Sequence, residues 1–245
     1  LIWLKENRPE IFNNTYKVLD VSGYLRYKCT QRMTAEWSGA CSYAFDLKKK
    51  DWERFLFKAV GVGTKILPEL VRSIDEVGKL TEQAATEMGL IAGIPVYGGC
   101  DDTQSAAVGT TAISEGEAHI YTGTSAWVGV TTRKAMGFKN GVFCIQSADP
   151  EMNLVVGITE SAGANTEWLL STFFSHEKQT MSASHLFELL ENEVKQTNAG
   201  ADYLIMTPWF LGERCPVSTT TTRSTIFNLS HQHTRAHIVR AHFEG

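Results

Sequence analysis

The stretch that decides the fold is Gly98-Gly99-Cys100-Asp101-Asp102-Thr103-Gln104-Ser105-Ala106-Ala107-Val108-Gly109. The apolar and glycine residues from Ile94 to Cys100, interrupted only by Pro95, predict a short strand that leads into it. The residues after Cys100 predict a helix whose first turn is acidic, because carboxylates favour the positive end of a helix dipole. A strand that runs into a carboxylate and then into a helix indicates an α/β fold.

The two carboxylates of this stretch are the first candidates for chemistry. Ligands of α/β folds usually bind at the end of a strand and the start of a helix, and a carboxylate there can accept a proton from a substrate hydroxyl. An aspartate at this place is also an ordinary helix N-cap. Spacing alone does not decide between cap and base, nor between Asp101 and Asp102.

Before this stretch, the sequence predicts further short elements. Val77–Leu80 is typical of a strand, Thr81 of an N-cap, and residues 82–88 of a helix that Gly89 ends. An amphipathic helix is expected after an N-cap at Asp51, and Gly61 is expected to stop it. Its apolar residues at helical spacing are Trp52, Phe55, Leu56, Ala59 and Val60. Two further elements are expected earlier in the chain: a helix tail over residues 1–11 that breaks before Pro9, and a short buried element over 18–25.

After Gly109 the pattern changes to β-prone runs. Residues 118–121 and 126–132, separated by Gly123-Thr124-Ser125, predict a hairpin with a short polar turn. Backbone N–H groups at a glycine turn, with two hydroxyls beside them, suit phosphate oxygens, although an ordinary turn has the same composition. The boundary between the two lobes is therefore expected near Thr110, giving domains at 1–110 and 111–245.

Three helices are expected in the second lobe. Ala162-Gly163-Ala164-Asn165 precedes the first of them, which bears Glu167 and Trp168, and a ligand could approach the backbone at such a helix start. Plain helix entry explains the same residues. The other two helices are expected at 185–194 and from about Thr234.

Composition narrows the classes of function. The chain has 245 residues, enough for two small domains, and its 23 basic against 27 acidic residues give a net charge of -4. This balance disfavours a nucleic-acid or anionic-membrane surface. Five widely spaced cysteines without a CxxC pair argue against a disulfide framework and indicate a reducing cytoplasm. No apolar run is long enough for a membrane helix.

Four histidines near the C-terminus raise the question of a metal site. His233 and His237 are four residues apart, and His231 and His242 lie nearby. No carboxylate or cysteine completes a ligand set at motif spacing, so polar surface histidines are the simpler interpretation and no metal ligands are assigned.

Taken in order, these pieces resemble the FGGY family of carbohydrate kinases, and within it the branch that acts on pentuloses. The resemblance covers nearly the whole chain and rests on seven segments in the family's order: residues 1–7, residues 24–30 with 34–40, the stretch 98–109, Tyr121-Thr122-Gly123-Thr124-Ser125, residues 162–169, Gly212-Glu213-Arg214-Cys215-Pro216, and residues 224–244. Counting back from Gly109, the family's catalytic aspartate falls on Asp102 rather than Asp101.

The resemblance implies a two-lobed, actin-like ATPase (ribonuclease H-like) α/β fold and transfer of phosphate from MgATP to a sugar hydroxyl. Asp102 would be the general base and would contact the sugar together with Trp127. Gly123, Thr124, Gly163 and Glu167 would contact the nucleotide. The implied ligands are a pentulose such as D-xylulose, ATP and Mg²⁺. A homodimer is a further expectation.

The family's opening phosphate strand and its late adenine-binding segment have no counterpart here. We therefore expect a chain that is incomplete at both ends and inactive by itself. Two other interpretations stay open: a non-catalytic actin-like nucleotide-binding module, since fold does not fix function, and a metal-binding module built on the histidines.

Overall fold

The computed structural model describes residues 1–137 and 139–245 as a mixture of short helices and strands. The helices are α1 Ile2–Asn7, α2 Pro9–Asn13, α3 Val21–Thr30, α4 Trp37–Cys41, α5 Arg54–Ala59, α6 Glu82–Met88, α7 Asp102–Gly109, α8 Gly163–Phe173, α9 Ser175–Thr180, α10 Ala183–Lys195 and α11 Arg235–Glu244. The strands are β1 Thr34–Glu36, β2 Phe45–Asp46, β3 Asp51–Trp52, β4 Glu69–Val71, β5 Glu76–Lys79, β6 Pro95–Tyr97, β7 Ala118–Thr122, β8 Ala126–Thr132, β9 Val142–Gln146, β10 Asn153–Thr159, β11 Ile205–Met206 and β12 Ile226–Phe227.

The strands form one larger sheet and four pairs. The larger sheet has the order β7-β8-β10-β9. Strands β1 and β4 pair in parallel, with Ala35 opposite Leu70. The pairs β2-β3, β5-β6 and β11-β12 are antiparallel.

The chain divides into two compact units. The first consists mostly of Leu1–His119 and the second mostly of Val156–Gly245, and the intervening strands are divided between them. The predicted boundary near Thr110 stays a prediction.

Each unit has its own apolar core. In the first unit, a cluster around α4 and α5 comprises Ala35, Ala40, Trp52, Phe57, Val62 and Leu67. In the second, residues of α8, α10 and α11 pack together, namely Leu169, Leu170, Phe174, Leu186, Leu190 and Val239. Arg235 crosses the edge of this second cluster, where its guanidinium lies over the Phe174 ring and bonds to Glu193 and Glu177.

Several sequence predictions are confirmed in detail. Thr81 caps α6 by accepting a hydrogen bond from the Ala84 N–H, and Gly89 ends this helix at φ 68°. Strands β7 and β8 are neighbours on either side of the predicted turn. The helices expected near residues 163, 185 and 234 are α8, α10 and α11.

Two predictions about the helix after Asp51 are wrong. Asp51 and Trp52 form strand β3, and the helix begins only at Arg54 with Glu53 as its N-cap, because the Glu53 carboxylate accepts from the Phe55 N–H. The apolar spacing also misplaced the buried face, since Phe57 is buried whereas Phe55 is 71% exposed.

The element expected over 18–25 is the start of helix α3, whose Asp20 cap accepts a hydrogen bond from the Gly23 N–H. Its first apolar residue, Val21, is 78% exposed rather than buried. The helix that was expected to break before Pro9 does end at Asn7, but Pro9 then opens helix α2 in the first-turn position that proline favours.

A left-handed turn precedes β11 in the second unit. Gly200, Ala201, Asp202 and Tyr203 all have positive φ, between 46° and 86°. The turn is held by side chains from the C-terminal part of the unit: His237 Nε2 lies 3.1 Å from Asp202 Oδ2, and Glu244 accepts from the Gly200 N–H.

Among residues 1–137 and 139–245, no helix is both long and apolar enough to cross a membrane. All five cysteines are free thiols.

Candidate active site

The loop between β6 and α7 ends at Asp101 and leads directly into Asp102, the first residue of α7, and its glycines are fixed by backbone contacts. The Gly98 N–H donates to the Asp75 carbonyl at 3.0 Å, and the Gly99 N–H donates to the Ser73 carbonyl at 2.9 Å. A Cβ on Gly98 would lie 2.2 Å from the Arg72 carbonyl oxygen, which only glycine permits. Gly99 has φ 72°. The loop therefore has one tightly specified path into helix α7.

Asp102 stands in the first turn of α7 with its side chain exposed. Its Oδ1 accepts a hydrogen bond from the Thr103 N–H at 2.7 Å. The buried Gln104, two residues later, donates from Nε2 to the Gln146 carbonyl at 2.9 Å and anchors the helix. An exposed carboxylate on an anchored helix start is well placed to accept a proton from a bound hydroxyl.

Asp101 is the N-cap residue of α7, yet its carboxylate makes no capping hydrogen bond. It is half-buried, and burial together with the negative charges of Asp20 and Asp102 raises its pKa, while Arg26 opposes the shift. The two neighbouring aspartates therefore differ in exposure, since the Asp102 side chain is open to solvent and Asp101 is half-buried.

In the second unit, the turn of the β7-β8 hairpin meets the start of helix α8. The Gly123 carbonyl accepts from the Gly163 N–H at 2.8 Å, and the Thr124 carbonyl accepts from the N–H groups of Ala162 and Ala164 at 2.9 and 3.2 Å. The structure thus brings Gly123, Thr124 and Gly163 together. Because these N–H groups at the start of α8 bond to the turn, backbone hydrogen bonds hold the turn and the helix start together.

Close packing explains both glycines at this junction. A Cβ on Gly163 would lie 2.5 Å from the Gly123 carbonyl oxygen, and a Cβ on Gly123 would lie 2.8 Å from the Tyr121 ring. That ring stacks on the indole of Trp127, with centroids 3.7 Å apart and planes 13° from parallel. Trp127 therefore stiffens the hairpin, and its proposed contact with a sugar stays a prediction.

A cavity of about 310 Å³ opens beside the start of α8. Ser161, Gly163 and Thr166 line it, together with Thr207 and His242. The Ser161 Oγ is buried and has no hydrogen-bond partner among the residues that the structure describes. His242 Nε2 lies 3.1 Å from Thr166 Oγ1, and burial lowers the pKa of the imidazole, which favours its neutral form.

Glu167 does not line this cavity. Its side chain is 62% exposed and forms an ion pair with Lys178 Nζ. This pairing offsets the negative charge that would otherwise repel nucleotide phosphates.

The residues present fit a nucleotide better than a metal held by protein alone. Ser161 Oγ offers an unused polar atom to a ligand in the cavity, next to a helix start. Within the described part of the chain, no group of three or more His, Cys, Asp or Glu side chains could hold a metal ion. Mg²⁺ usually binds through one or two carboxylates plus substrate phosphates, so it does not require such a cluster.

The C-terminal histidines have other roles. His233 precedes helix α11, and His237 caps that helix by accepting from the Thr234 N–H at 3.1 Å. His242 bonds to Thr166 instead.

Sequence reasoning missed Ser161 and the cavity role of His242. Ser161 directly precedes the segment that was singled out at Ala162, so a search for hydroxyls beside that glycine would have found it. His242 had been grouped with the other histidines by proximity in the chain.

The comparisons with known proteins concern the family and the fold. The model of the FGGY family of carbohydrate kinases, N-terminal domain, matches residues 1–109, and that of the family's C-terminal domain matches residues 118–245. The xylulose kinases of Staphylococcus epidermidis and Bacillus subtilis are 32% and 30% identical over the whole chain. A crystal structure of a xyloylose kinase from Brucella ovis superposes with a TM-score of 0.87 at 25% identity, over 100% of this chain and 49% of that one. The chain spans about half the length of the curated relatives it matches, 48% in both cases.

Proposed function

Because the chain belongs to the FGGY family of carbohydrate kinases, we propose that the intact protein phosphorylates a sugar hydroxyl at the expense of ATP. The fold is accordingly the actin-like ATPase fold of that family's solved structures. D-Xylulose, or another pentulose, is the proposed substrate, since the similar proteins named above are xylulose kinases.

The observation that carries this proposal is the exposed Asp102 carboxylate at the anchored start of α7. In the proposed reaction this carboxylate accepts the proton of the attacking sugar hydroxyl. Its exposure leaves room for a substrate, while the contacts of the loop and of Gln104 fix the helix start that carries it. Catalysis of this kind depends mostly on position and on charge stabilisation.

The nucleotide side is proposed at the junction of the hairpin turn with α8. The hydroxyl of Thr124 and the cavity lined by Ser161 and Gly163 would bind nucleotide oxygens, and the neutral His242 would hold Thr166 in place. When bound, ATP would supply the phosphoryl group and Mg²⁺ would partly neutralise the charge of its phosphates. The proposed contact of Glu167 is the weakest of the set, because its carboxylate already pairs with Lys178.

The test is ADP release by the intact protein with MgATP, with and without D-xylulose. We expect release that depends on the sugar and that is lost in Asp102→Asn. A panel of other pentuloses and of gluconate, run in parallel, identifies the preferred substrate. Sugar-independent ATP hydrolysis that persists in Asp102→Asn would contradict the proposal and favour a nucleotide-binding module.

A further inference from the structure

A buried arginine in the first unit contacts the loop that leads into the candidate base. Arg26, on α3, is only 8% exposed, and its Nη1 donates to the Gly98 carbonyl at 2.8 Å. Its Nε and Nη2 have no hydrogen-bond partner among the described residues, and the nearest carboxylate, Asp20, lies 4.0 Å from Nη2. Burying a guanidinium with open donors is unfavourable for stability. The hydrogen bond to the Gly98 carbonyl gives this buried guanidinium a structural role.

A buried serine holds the same loop at its other end. Ser38, on α4, is 2% exposed, and its Oγ accepts from the Asp101 N–H at 3.0 Å across 63 positions of sequence. This N–H immediately precedes the residue that bears the candidate base. The serine hydroxyl proton is donated in turn to the Glu36 carboxylate.

Glu36 orients this serine. The residue is 2% exposed, and its Oε2 also accepts from the Ser38 N–H at 2.8 Å. Burial raises its pKa, against the opposing effect of the hydrogen bonds from Ser38 and Gly39. Because the hydroxyl proton of Ser38 points to Glu36, the Oγ lone pairs remain free to accept from the Asp101 N–H.

We propose that Ser38, oriented by Glu36, and Arg26 are positioning residues that fix the 98–101 loop and thereby the orientation of Asp102. The proposal rests on the proposed kinase function for its catalytic consequence. None of the three residues needs to touch the substrate. Their bonds act on backbone atoms of the loop at Gly98 and Asp101, in addition to the bonds that the carbonyls of Ser73 and Asp75 accept from Gly99 and Gly98.

A purely local role does not explain these contacts. Glu36 caps helix α4 whether or not Ser38 has a hydroxyl, since the cap uses the N–H groups of Ser38 and Gly39. The hydroxyl instead reaches a loop that is distant in sequence. Removal of the hydroxyl alone should therefore loosen the loop and leave α4 intact.

The experiment compares four variants in the intact protein: Ser38→Ala, Ser38→Cys, Ser38→Thr and Ser42→Ala. Ser38→Cys nearly keeps the volume but replaces the oxygen by a weak acceptor, so it tests the bond if Ser38→Ala fails to fold. Ser38→Thr restores the hydroxyl. Ser42, exposed at the other end of the same helix, provides the matched control. The readouts are amide hydrogen exchange of residues 98–103, with α6 as internal reference, and the kcat and KM of sugar-dependent ADP release.

For Ser38→Ala and Ser38→Cys we expect exchange of the loop to be faster by about tenfold or more while α6 is unchanged. We also expect kcat to fall by about tenfold with an unchanged KM for ATP, because a misplaced base loses transition-state stabilisation. Ser38→Thr should recover most of both effects, and Ser42→Ala should show neither.

Unchanged loop exchange in the variants without the hydroxyl would overturn the proposal, as would faster exchange with a wild-type kcat. Absence of any sugar-dependent ADP release by the wild-type protein is a different failure. It would refute the proposed function, whereas the exchange data would still decide whether Ser38 holds the loop.

Discussion

Two helix starts can be compared in this molecule, that of α7 in the first unit and that of α8 in the second. Neither has a side-chain cap bond from its own N-cap residue, Asp101 or Ala162. At α7 the preceding loop, residues 98–101, is fixed by the buried side chains of Arg26 and Ser38. Two carboxylates, Asp101 and Asp102, stand at the helix start. At α8 the N–H groups of residues 162–164 bond to the carbonyls of a hairpin turn, and none of the described residues that line the cavity beside them is Asp or Glu.

This difference predicts that the two helix starts depend on different properties of their residues, charge at α7 and shape at α8. The α7 start presents a charged group, so a change of chemistry without a change of shape should abolish its function. The α8 start presents backbone and small residues, so a change of shape without a change of charge should be enough. Each prediction below separates these two dependences.

The largest effect is expected for Asp102→Asn, which keeps the size of the side chain and removes its basicity. We expect kcat to fall by about 10²–10⁴-fold, with ATP affinity nearly unchanged. Steady-state kinetics and calorimetric titration of ATP measure the two quantities. Asp101→Asn is the matched control and should be mild. If Asp101→Asn abolished turnover instead, the assignment of the base would move by one residue.

Gly163→Ala should have the next largest effect, because its Cβ would lie 2.5 Å from the Gly123 carbonyl oxygen. Backbone must move to relieve such a contact, and we expect a loss of about 1–3 kcal/mol in the free energy of unfolding. Gly109→Ala, at the end of α7, is the control, since nothing lies within 4 Å of its Cβ position. Chemical denaturation of both variants measures the difference. Equal stability of the two would show that the α8 junction is not tightly packed.

Gly123→Val tests the same junction from the turn. Its Cβ would meet a side chain, the Tyr121 ring, rather than backbone, so the fold has more room to adjust than at Gly163. We expect ATP affinity to weaken more than sugar affinity, in separate titrations of each ligand. Equal weakening of both would indicate that the turn is only structural.

The smallest effect concerns the stability of Asp101→Asn as a function of pH. Because the folded protein raises the pKa of Asp101, it holds this proton more tightly than the unfolded chain does. The stability that Asp101 contributes therefore falls as pH rises from the usual aspartate pKa of 3.8 towards the raised value. Asn removes this loss, so Tm should rise slightly at pH 7.

The Tm gain of Asp101→Asn should shrink as pH falls below 3.8, where Asp101 is protonated in both states. Thermal unfolding at the two pH values measures it. A lower Tm at pH 7 would mean that attraction of this carboxylate to the positive end of α7 outweighs its burial.

The elements with strong local signals could be predicted from sequence. Thr81 and Gly89 bracket α6 because a hydroxyl cap and a left-handed glycine are set by the residues themselves. The start of α5 could not be read in this way, since Asp51 and Glu53 are both plausible caps. Asp51 pairs with Asp46 across strands β2 and β3, so it belongs to a strand and Glu53 becomes the N-cap.

The residues of the candidate site also differ in whether the sequence could predict their roles. Asp102 and the glycines at 123 and 163 stand in short motifs, so the sequence could point to them. Ser38 and Arg26 stand in the segments 34–40 and 24–30 that resemble the family, but no local pattern links them to the loop, which lies 63 and 72 positions away. Glu167 also stands in a motif, and its contact with the nucleotide stays a prediction. The ion pair of its carboxylate with Lys178, eleven residues later, could not be read from that motif.

The left-handed turn at residues 200–203 has a consequence for the order of folding. Each non-glycine residue in this conformation is disfavoured by about 1–2 kcal/mol, so the isolated segment does not hold the turn. Besides local backbone bonds, such as that from the Tyr203 N–H to the Gly200 carbonyl, the bonds that hold it join Asn228 to Tyr203 and Glu244 to Gly200, 25 and 44 positions apart. We therefore expect the turn to become stable only after α11 has docked, late on the folding pathway. Substitutions within it should speed unfolding while leaving the folding rate nearly unchanged.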